Sequence, residues 1–166
     1  INPSFGTEVL SGLNIFAGGS MTEKHKTELT EIGVNTSDDS DAQYEAVGGI
    51  TYDIGPISLG YGAQGQLTGK TTTATDVDYY RNKHWGVAVN INDSLSVSYG
   101  WHTSYQGLVN PGVSATDELV VQSAQIAYTM GGASFRLAEA TADNMKYSTG
   151  AAMDRDATTL SVSLAF

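Results

Sequence analysis

The sequence lacks several residue types and patterns, and each absence excludes a class of protein. It contains no cysteine, which excludes a disulfide framework and a thiolate metal site. Charged residues make up 16% of the chain, against about 25% in typical soluble domains. No apolar run approaches the roughly 18 residues of a membrane helix. The net charge of -10 and the pI near 4.4 argue against nucleic-acid binding.

The beginning of the chain shows no secretion signal. No basic segment followed by an apolar one is present, and the first residue is Ile1 rather than methionine. We therefore expect a mature form or a fragment of a longer protein. The length of 166 residues fits a single unit, and we expect residues 1–166 to form one.

The last stretch of the chain, residues 156–166, alternates with a period of two to its end. One face would carry Thr158, Leu160, Val162, Leu164 and Phe166 and the other Thr159, Ser161, Ser163 and Ala165. Such alternation indicates a β-strand with one apolar and one small, polar face. The apolar face would point inward in a soluble sandwich, but toward lipid in an outer-membrane barrel.

Three tight turns allow the same pattern to be tested across neighbouring strands. Residues that face each other across such a turn have position numbers with a constant sum. Around the turn 92–94 this rule pairs large apolar residues on one face: Trp85 with Trp101, Val87 with Tyr99, Val89 with Val97 and Ile91 with Leu95. The other face receives His84 with His102, Gly86 with Gly100, Ala88 with Ser98 and Asn90 with Ser96. Around the turns at 55–56 and 131–132 the same rule again places large apolar residues on one face and small or polar residues on the other. Gln122 is an exception on the apolar face, which predicts either a bulge at Val120–Val121 or contact with a neighbouring subunit.

The fold class that follows is all-β, with eight antiparallel strands whose connections alternate between short and long. We expect strands at about 9–21, 43–54, 57–69, 79–91, 94–106, 118–130, 133–140 and 156–166. The segment 24–41 is expected to be an exposed loop, with a short helix over 24–31 as the alternative. Short turns at one end and long loops at the other are typical of a transmembrane β-barrel. Aromatic girdles at the two membrane interfaces would explain Tyr44, Tyr52, Tyr61, Trp85, Tyr99, Trp101, Tyr128 and Phe166, although aromatic residues favour strands in any case.

The terminal stretch L-S-V-S-L-A-F and the hairpin A-Y-T-M-G-G-A-S-F-R-L resemble the C-terminal half of a Gram-negative general porin. The similarity is to the 16-stranded, trimeric, α-proteobacterial type and covers nearly all of this chain. It implies an integral protein of the outer membrane, a homotrimer, and passive diffusion of small hydrophilic solutes. It also implies contact with lipopolysaccharide, and recognition of the strand ending at Phe166 by the barrel-assembly machinery. Such a porin is about twice as long, and its constriction loop belongs to the half that this chain lacks.

In that interpretation the small, polar face lines the pore. The predicted pore-lining residues are Glu45, Gln64, Gln66, His84, His102, Gln125 and Arg136. Arg136 would form the cationic wall of a constriction; alternatively, it extends to a rim or pairs with Glu45. The His84–His102 pair would bind a transition metal or change charge near pH 6, or simply be neutral and hydrated.

Other residues have weaker functional interpretations. Asp38, Asp39 and Asp41 would hold Ca²⁺ or form an ordinary solvated acidic loop, and no other cofactor is expected. Arg81 and Lys83 would meet lipopolysaccharide phosphates or water. One patch consists of small residues, which would either pack closely against a neighbouring subunit or only make the barrel wall thinner: Ala46, Gly48, Ala63 and Gly65. His102 and Ser104 share a face without a triad acid, so we expect no enzyme.

Two other classes of protein are alternatives. One is a complete eight-stranded barrel with a structural, adhesive or binding role and no open pore. The inward residues, mostly Gly, Ser, Ala, Thr and Gln, are too small to fill such a barrel, which favours a wider one. The other, a secreted sandwich or an enzyme, is disfavoured by the terminal Phe166 and the low charge.

Overall fold

A computed structural model describes residues 11–23, 42–70, 73–112 and 116–164. These residues form one sheet of eight antiparallel strands, each paired with the strands next to it in sequence. The strands are β1 Leu13–Thr22, β2 Gln43–Ile54, β3 Ile57–Leu67, β4 Val77–Asn90, β5 Leu95–Leu108, β6 Leu119–Met130, β7 Ala133–Asp143 and β8 Arg155–Leu164. The predicted all-β class with eight antiparallel strands is confirmed.

The three short connections fold as tight turns. Gly131 and Gly132 both have positive φ, at 56° and 85°, which only glycine adopts without strain. Two such residues in succession twist the chain in the sense that the flanking strands require. The turn between β2 and β3 places Gly55 at φ 56° before Pro56. All three turns lie at the same end of the sheet, called here the turn end, and the long connections lie at the loop end.

The register agrees with the constant-sum pairings. Trp85 lies opposite Trp101 and His84 opposite His102. Strand β6 pairs with both neighbours without a register shift, so the predicted bulge at Val120–Val121 is absent. Gln122 stays on the apolar face, where its side-chain oxygen accepts a hydrogen bond of 2.8 Å from the Tyr99 hydroxyl.

The strand ends differ from the expected ones mainly at the loop end. Strand β7 continues to Asp143 instead of ending near residue 140, because residues 141–143 still pair with β6. Strand β4 begins at Val77 and β5 extends to Leu108, across a register shift between Val77 and Tyr79. The expected loop at 24–41, with its alternative helix, and residues 9–10 and 165–166 lie outside the described residues.

The sheet has two faces of different chemistry and no apolar core between layers. The apolar face carries the Trp85–Trp101 pair, and the polar face carries the His84–His102 pair. None of the described hydrophobic side chains is buried, and Leu160 is 71% exposed. Two edges are open as well, since β1 and β8 do not pair with each other. No helix in the described part of the chain is long and apolar enough to cross a membrane.

Candidate functional site

The polar face is the candidate functional surface, because titratable and amide side chains are set there among small residues. Cross-strand partners share a face, so the register assigns each residue to one side. All residues predicted to line a pore lie on this face: Glu45, Gln64, Gln66, His84, His102, Gln125 and Arg136. Their function as a pore lining stays a prediction.

Glu45 is held by neutral donors at the loop end. Its Oε1 accepts hydrogen bonds of 2.8 Å from Gln43 Nε2 and from Gln66 Nε2. The Ser20 hydroxyl lies 3.4 Å from Oε2, on the neighbouring strand β1. These bonds hold the Glu45 carboxylate oxygens in place between β1 and β3 on the polar face.

The alternative in which Arg136 pairs with Glu45 is wrong. Arg136 lies on β7 opposite Ala127 and Ser161, close to the turn end. Five strand spacings of about 4.8 Å separate β7 from β2, or roughly 24 Å along the sheet. Arg136 is exposed and forms no hydrogen bond or ion pair with the described residues. A cationic wall formed by Arg136 would therefore lie near the turn end of the sheet, whereas Glu45 lies at the loop end.

The two histidines form a close cross-strand pair. Their ring centroids are 6.3 Å apart and the ring planes differ by 18°. The Ile91 amide donates to the Leu95 carbonyl, and alternation along the ladder makes His84–His102 a non-hydrogen-bonded pair, whose side chains approach most closely. The His84 ring lies over Gly62, where any Cβ would overlap it.

Metal binding at the histidine pair has no further support from its surroundings. No group of three or more metal-ligating side chains is found in the described ranges. The proposed calcium ligands Asp38, Asp39 and Asp41 lie outside those ranges.

Sequence reasoning missed an aromatic residue that reaches the polar face from a loop. Residues Asn144–Asp154, called here the β7–β8 segment, contain two short 3-10 turns, Met145–Tyr147 and Ala151–Met153. The hydroxyls of Tyr147 and Ser104 are 2.8 Å apart, and the Tyr147 ring lies 5.9 Å from that of Tyr80. Ser104 is 5% exposed and is the one buried polar side chain in the described part of the chain. The only signal in the sequence is that Tyr147 is the one aromatic residue of this loop.

Two other long loops are hydrogen-bonded to each other at the same end. The Val109 amide donates to the Asp76 carbonyl over 3.0 Å, and the Asn110 amide donates to the Ala74 carbonyl over 3.1 Å. Lys70 forms an ion pair of 3.8 Å with Asp76. The described parts of these two loops therefore form a connected rim at the loop end.

The apolar face carries the described girdle residues, and one pair of them is stacked. Tyr44, Tyr52, Tyr61, Trp85, Tyr99, Trp101 and Tyr128 all lie on it, and Phe166 lies outside the described residues. The Trp85 and Trp101 rings are 6.4 Å apart and nearly parallel, at 8°. The Arg81 guanidinium lies 5.5 Å from the centre of the Tyr105 ring. Girdle and lipopolysaccharide functions stay predictions.

The small residues predicted as a subunit contact form one continuous patch. Ala46 lies opposite Gly65, and Gly48 lies opposite Ala63. Ala46 and Gly65 lie at the floor of a hollow of about 500 Å³ whose walls include Tyr44, Leu67, Tyr79 and Arg81. This hollow is a recess in the apolar face, and its use as a subunit contact stays a prediction.

Comparison with known proteins gives no match: no family model, no curated protein and no solved structure aligns significantly with the chain.

Proposed function

We propose that this protein is a porin of the Gram-negative outer membrane, forming a water-filled channel for passive diffusion of small hydrophilic solutes. The observation that supports this most is the exposure of the whole apolar face. Large side chains such as Leu160, Ile15 and Trp85 stand 71%, 51% and 44% exposed on one continuous sheet. Apolar faces of this extent need an apolar surrounding. Lipid provides it, with the small, polar face toward water.

The outline of the apolar region favours a tilted barrel wall. On β2 the apolar residues extend toward the loop end as far as Tyr44. The residues paired with Tyr44 across successive strands lead to Gly107 on β5. On β8 they end at Leu160, whose row reaches Val97 on β5. Between β2 and β8, the loop-end boundary of the apolar region thus shifts by ten residues along the strand direction, or roughly 33 Å. The two strands are six strand spacings apart, or roughly 29 Å. That slope of roughly 45–50° is close to the 35–45° tilt of strands in outer-membrane barrels.

The open edges favour a barrel with additional strands. In hydrocarbon every backbone N–H and C=O group must be paired within protein, so the free edges of β1 and β8 require partners. Most side chains of the polar face are Gly, Ser, Ala, Thr and Gln, which are too small to fill the interior of an eight-stranded barrel. We propose a 16-stranded wall, of which this sheet forms half, assembled as a homotrimer. Lipopolysaccharide at Arg81 and Lys83, and assembly through the strand ending at Phe166, belong to the same proposal.

A second candidate is a small closed barrel that anchors or binds without conducting. The observation that favours it is the β7–β8 segment, which already covers part of the polar face through Tyr147. In a barrel of eight strands, such a segment would help to plug the interior.

The test is reconstitution of the protein purified from its outer membrane, with its intact mass measured on the same sample. Proteoliposomes in an isotonic glucose solution should swell, whereas protein-free liposomes should not, and the mass should be about twice the 17.5 kDa of this chain. Absence of swelling together with a mass of 17.5 kDa would support the small barrel. Extraction of the protein without detergent would contradict both candidates.

A further inference from the structure

The β7–β8 segment crosses the polar face instead of extending away from the loop end. It leaves the sheet after β7, and its Tyr147 side chain contacts Ser104 on β5 and Tyr80 on β4. Strand β4 lies three strand spacings from β7, or roughly 14 Å. A residue from the last long loop is thereby brought over the middle strands of the sheet.

Hydrogen bonds to the main chain fix the segment in this position. The Asp117 amide donates to the Tyr147 carbonyl over 3.1 Å. The Asn144 side-chain amide donates to the Glu118 carbonyl over 3.0 Å, and the Asn144 main-chain amide donates to Asp154 Oδ1 over 3.1 Å. Asn144 and Tyr147 are therefore attached to residues 117–118, and the two ends of the segment are bonded to each other.

The backbone of the segment adopts an unfavourable conformation to reach this position. Asn144, Lys146 and Tyr147 have φ of 57°, 61° and 56°. Residues other than glycine rarely enter this left-handed region, and they stay there only when surrounding contacts hold them. The Ser104–Tyr147 bond and the packing on Tyr80 are such contacts.

The sheet side chains next to Tyr147 are polar and uncharged, whereas the charged residues close to the segment are mostly acidic. Gln66 and Gln106 flank Tyr80 on the two neighbouring strands, and Asn82 lies opposite Ser104. Asp117 and Asp154 take part in the hydrogen bonds that hold the segment, and Lys146 is the one basic residue of the segment. Amide and hydroxyl groups beside an aromatic ring suit a neutral solute that has both hydroxyl groups and an apolar ring face. Sugars and other polyols are the solute class with this chemistry.

We propose that the β7–β8 segment is the constriction of the pore, that Tyr147 sets its width, and that it favours neutral sugars over anionic solutes of the same size. This proposal rests on the porin function proposed above. It assigns the constriction to the β7–β8 segment, whereas the resemblance to general porins implies a constriction loop in the N-terminal half of such a porin.

The position of the segment can be tested without any transport measurement. Because the chain contains no cysteine, two introduced cysteines can be cross-linked without competition. A short bis-maleimide should link the Ser104→Cys, Tyr147→Cys variant. The matched control is Ser98→Cys with Tyr147→Cys, since Ser98 shares the strand and face of Ser104 but lies roughly 20 Å toward the turn end. We expect at least about tenfold more intramolecular link in the first variant, measured by intact and peptide mass, because link yield follows effective concentration. Equal yields would overturn the proposal.

The constriction itself is tested by liposome swelling with glucose, sucrose and raffinose. Tyr147→Ala should raise the raffinose-to-glucose rate ratio by about threefold or more, because permeation falls steeply as a solute approaches the pore width. The matched control is Met145→Ala, an exposed residue of the same segment that forms no contact used here. With the wild-type protein, glucose should enter faster than gluconate. A preference for gluconate would overturn the choice of solute class.

The two tests separate the possible failures. Swelling by the wild-type protein with an unchanged ratio in Tyr147→Ala would overturn the constriction and leave the porin function in place. Absence of swelling with efficient 104–147 linking would overturn the porin function, and with it the constriction, although the segment would still lie where the structure places it.

Discussion

The two faces of the β4–β5 hairpin present ring pairs of similar geometry in opposite surroundings. The Trp85 and Trp101 rings are 6.4 Å apart at 8°, and the His84 and His102 rings on the reverse side are 6.3 Å apart at 18°. The two pairs differ in backbone hydrogen bonding, because neighbouring pairs alternate along an antiparallel ladder, yet the spacing of their rings is nearly the same. The faces differ chiefly in the chemistry of their side chains. In a soluble sandwich the tryptophan face would be covered by a second layer, but Trp85 is 44% exposed. This difference is the one that the proposed porin requires, with lipid on the tryptophan face and water on the histidine face.

The largest expected difference between the faces comes from placing a charge on each. Ile126→Arg puts a guanidinium in the apolar region of β6, and Gln125→Arg puts the same group on the polar face one residue away. We expect Ile126→Arg to lower the free energy of unfolding in vesicles by about 2–4 kcal/mol, the cost of Arg near a bilayer midplane. Gln125→Arg should change it by less than about 0.5 kcal/mol, as surface substitutions usually do. Equal effects in a urea titration would show that both faces meet water.

A smaller effect is expected from filling a gap on the polar face. Gly62 leaves the space that the His84 imidazole occupies, and a Cβ at this position would overlap the ring. Gly62→Ala should therefore displace His84 and lower the free energy of unfolding by about 1 kcal/mol, at the low end for overpacking because a side chain can move. The matched control is Gly60→Ala, whose Cβ would meet Thr51 Cγ2 at an ordinary 3.7 Å. A change in the histidine NMR signals of Gly62→Ala but not of Gly60→Ala would confirm the displacement. Identical spectra and stabilities would contradict it.

The smallest effect is expected from removing one fixed charge of the polar face. Glu45→Gln keeps a side-chain oxygen for the Gln43 and Gln66 amides but removes the negative charge. The ratio of cation to anion permeability should fall by about twofold, since a lone charge in a wet lumen is screened within ~10 Å. The reversal potential in a salt gradient measures this ratio, with Ser134→Ala at the turn end as the control. A ratio that is unchanged would place Glu45 outside the conducting path.

The sheet could be predicted from the sequence because its rules are local and repeat along the chain. The constant sum around the turn 92–94 determined the partners of Trp85 and His84, and period-two alternation assigned them to opposite faces. The order of the strands already separated Arg136 from Glu45 by five strand spacings, so the alternative in which they pair failed by neglecting the strand count. Gln122 needed no bulge, because the Tyr99 hydroxyl satisfies it on the apolar face.

The inward position of Tyr147 had no comparable rule. It depends on left-handed residues in an irregular loop and on one hydroxyl contact with Ser104, and neither follows from periodicity. A loop of this kind is positioned by individual long-range contacts, which a single sequence does not encode as a pattern.

The most direct test of the two-solvent account uses the two tryptophans of the chain, Trp85 and Trp101, because both lie on the apolar face. Their fluorescence is measured in vesicles of lipid with brominated acyl chains and, separately, in the presence of aqueous acrylamide. The account predicts strong quenching by the brominated chains and weak quenching by acrylamide. Strong quenching by acrylamide with none from brominated lipid would show that the tryptophan face meets water, and would contradict the membrane-spanning sheet and the pore proposed from it.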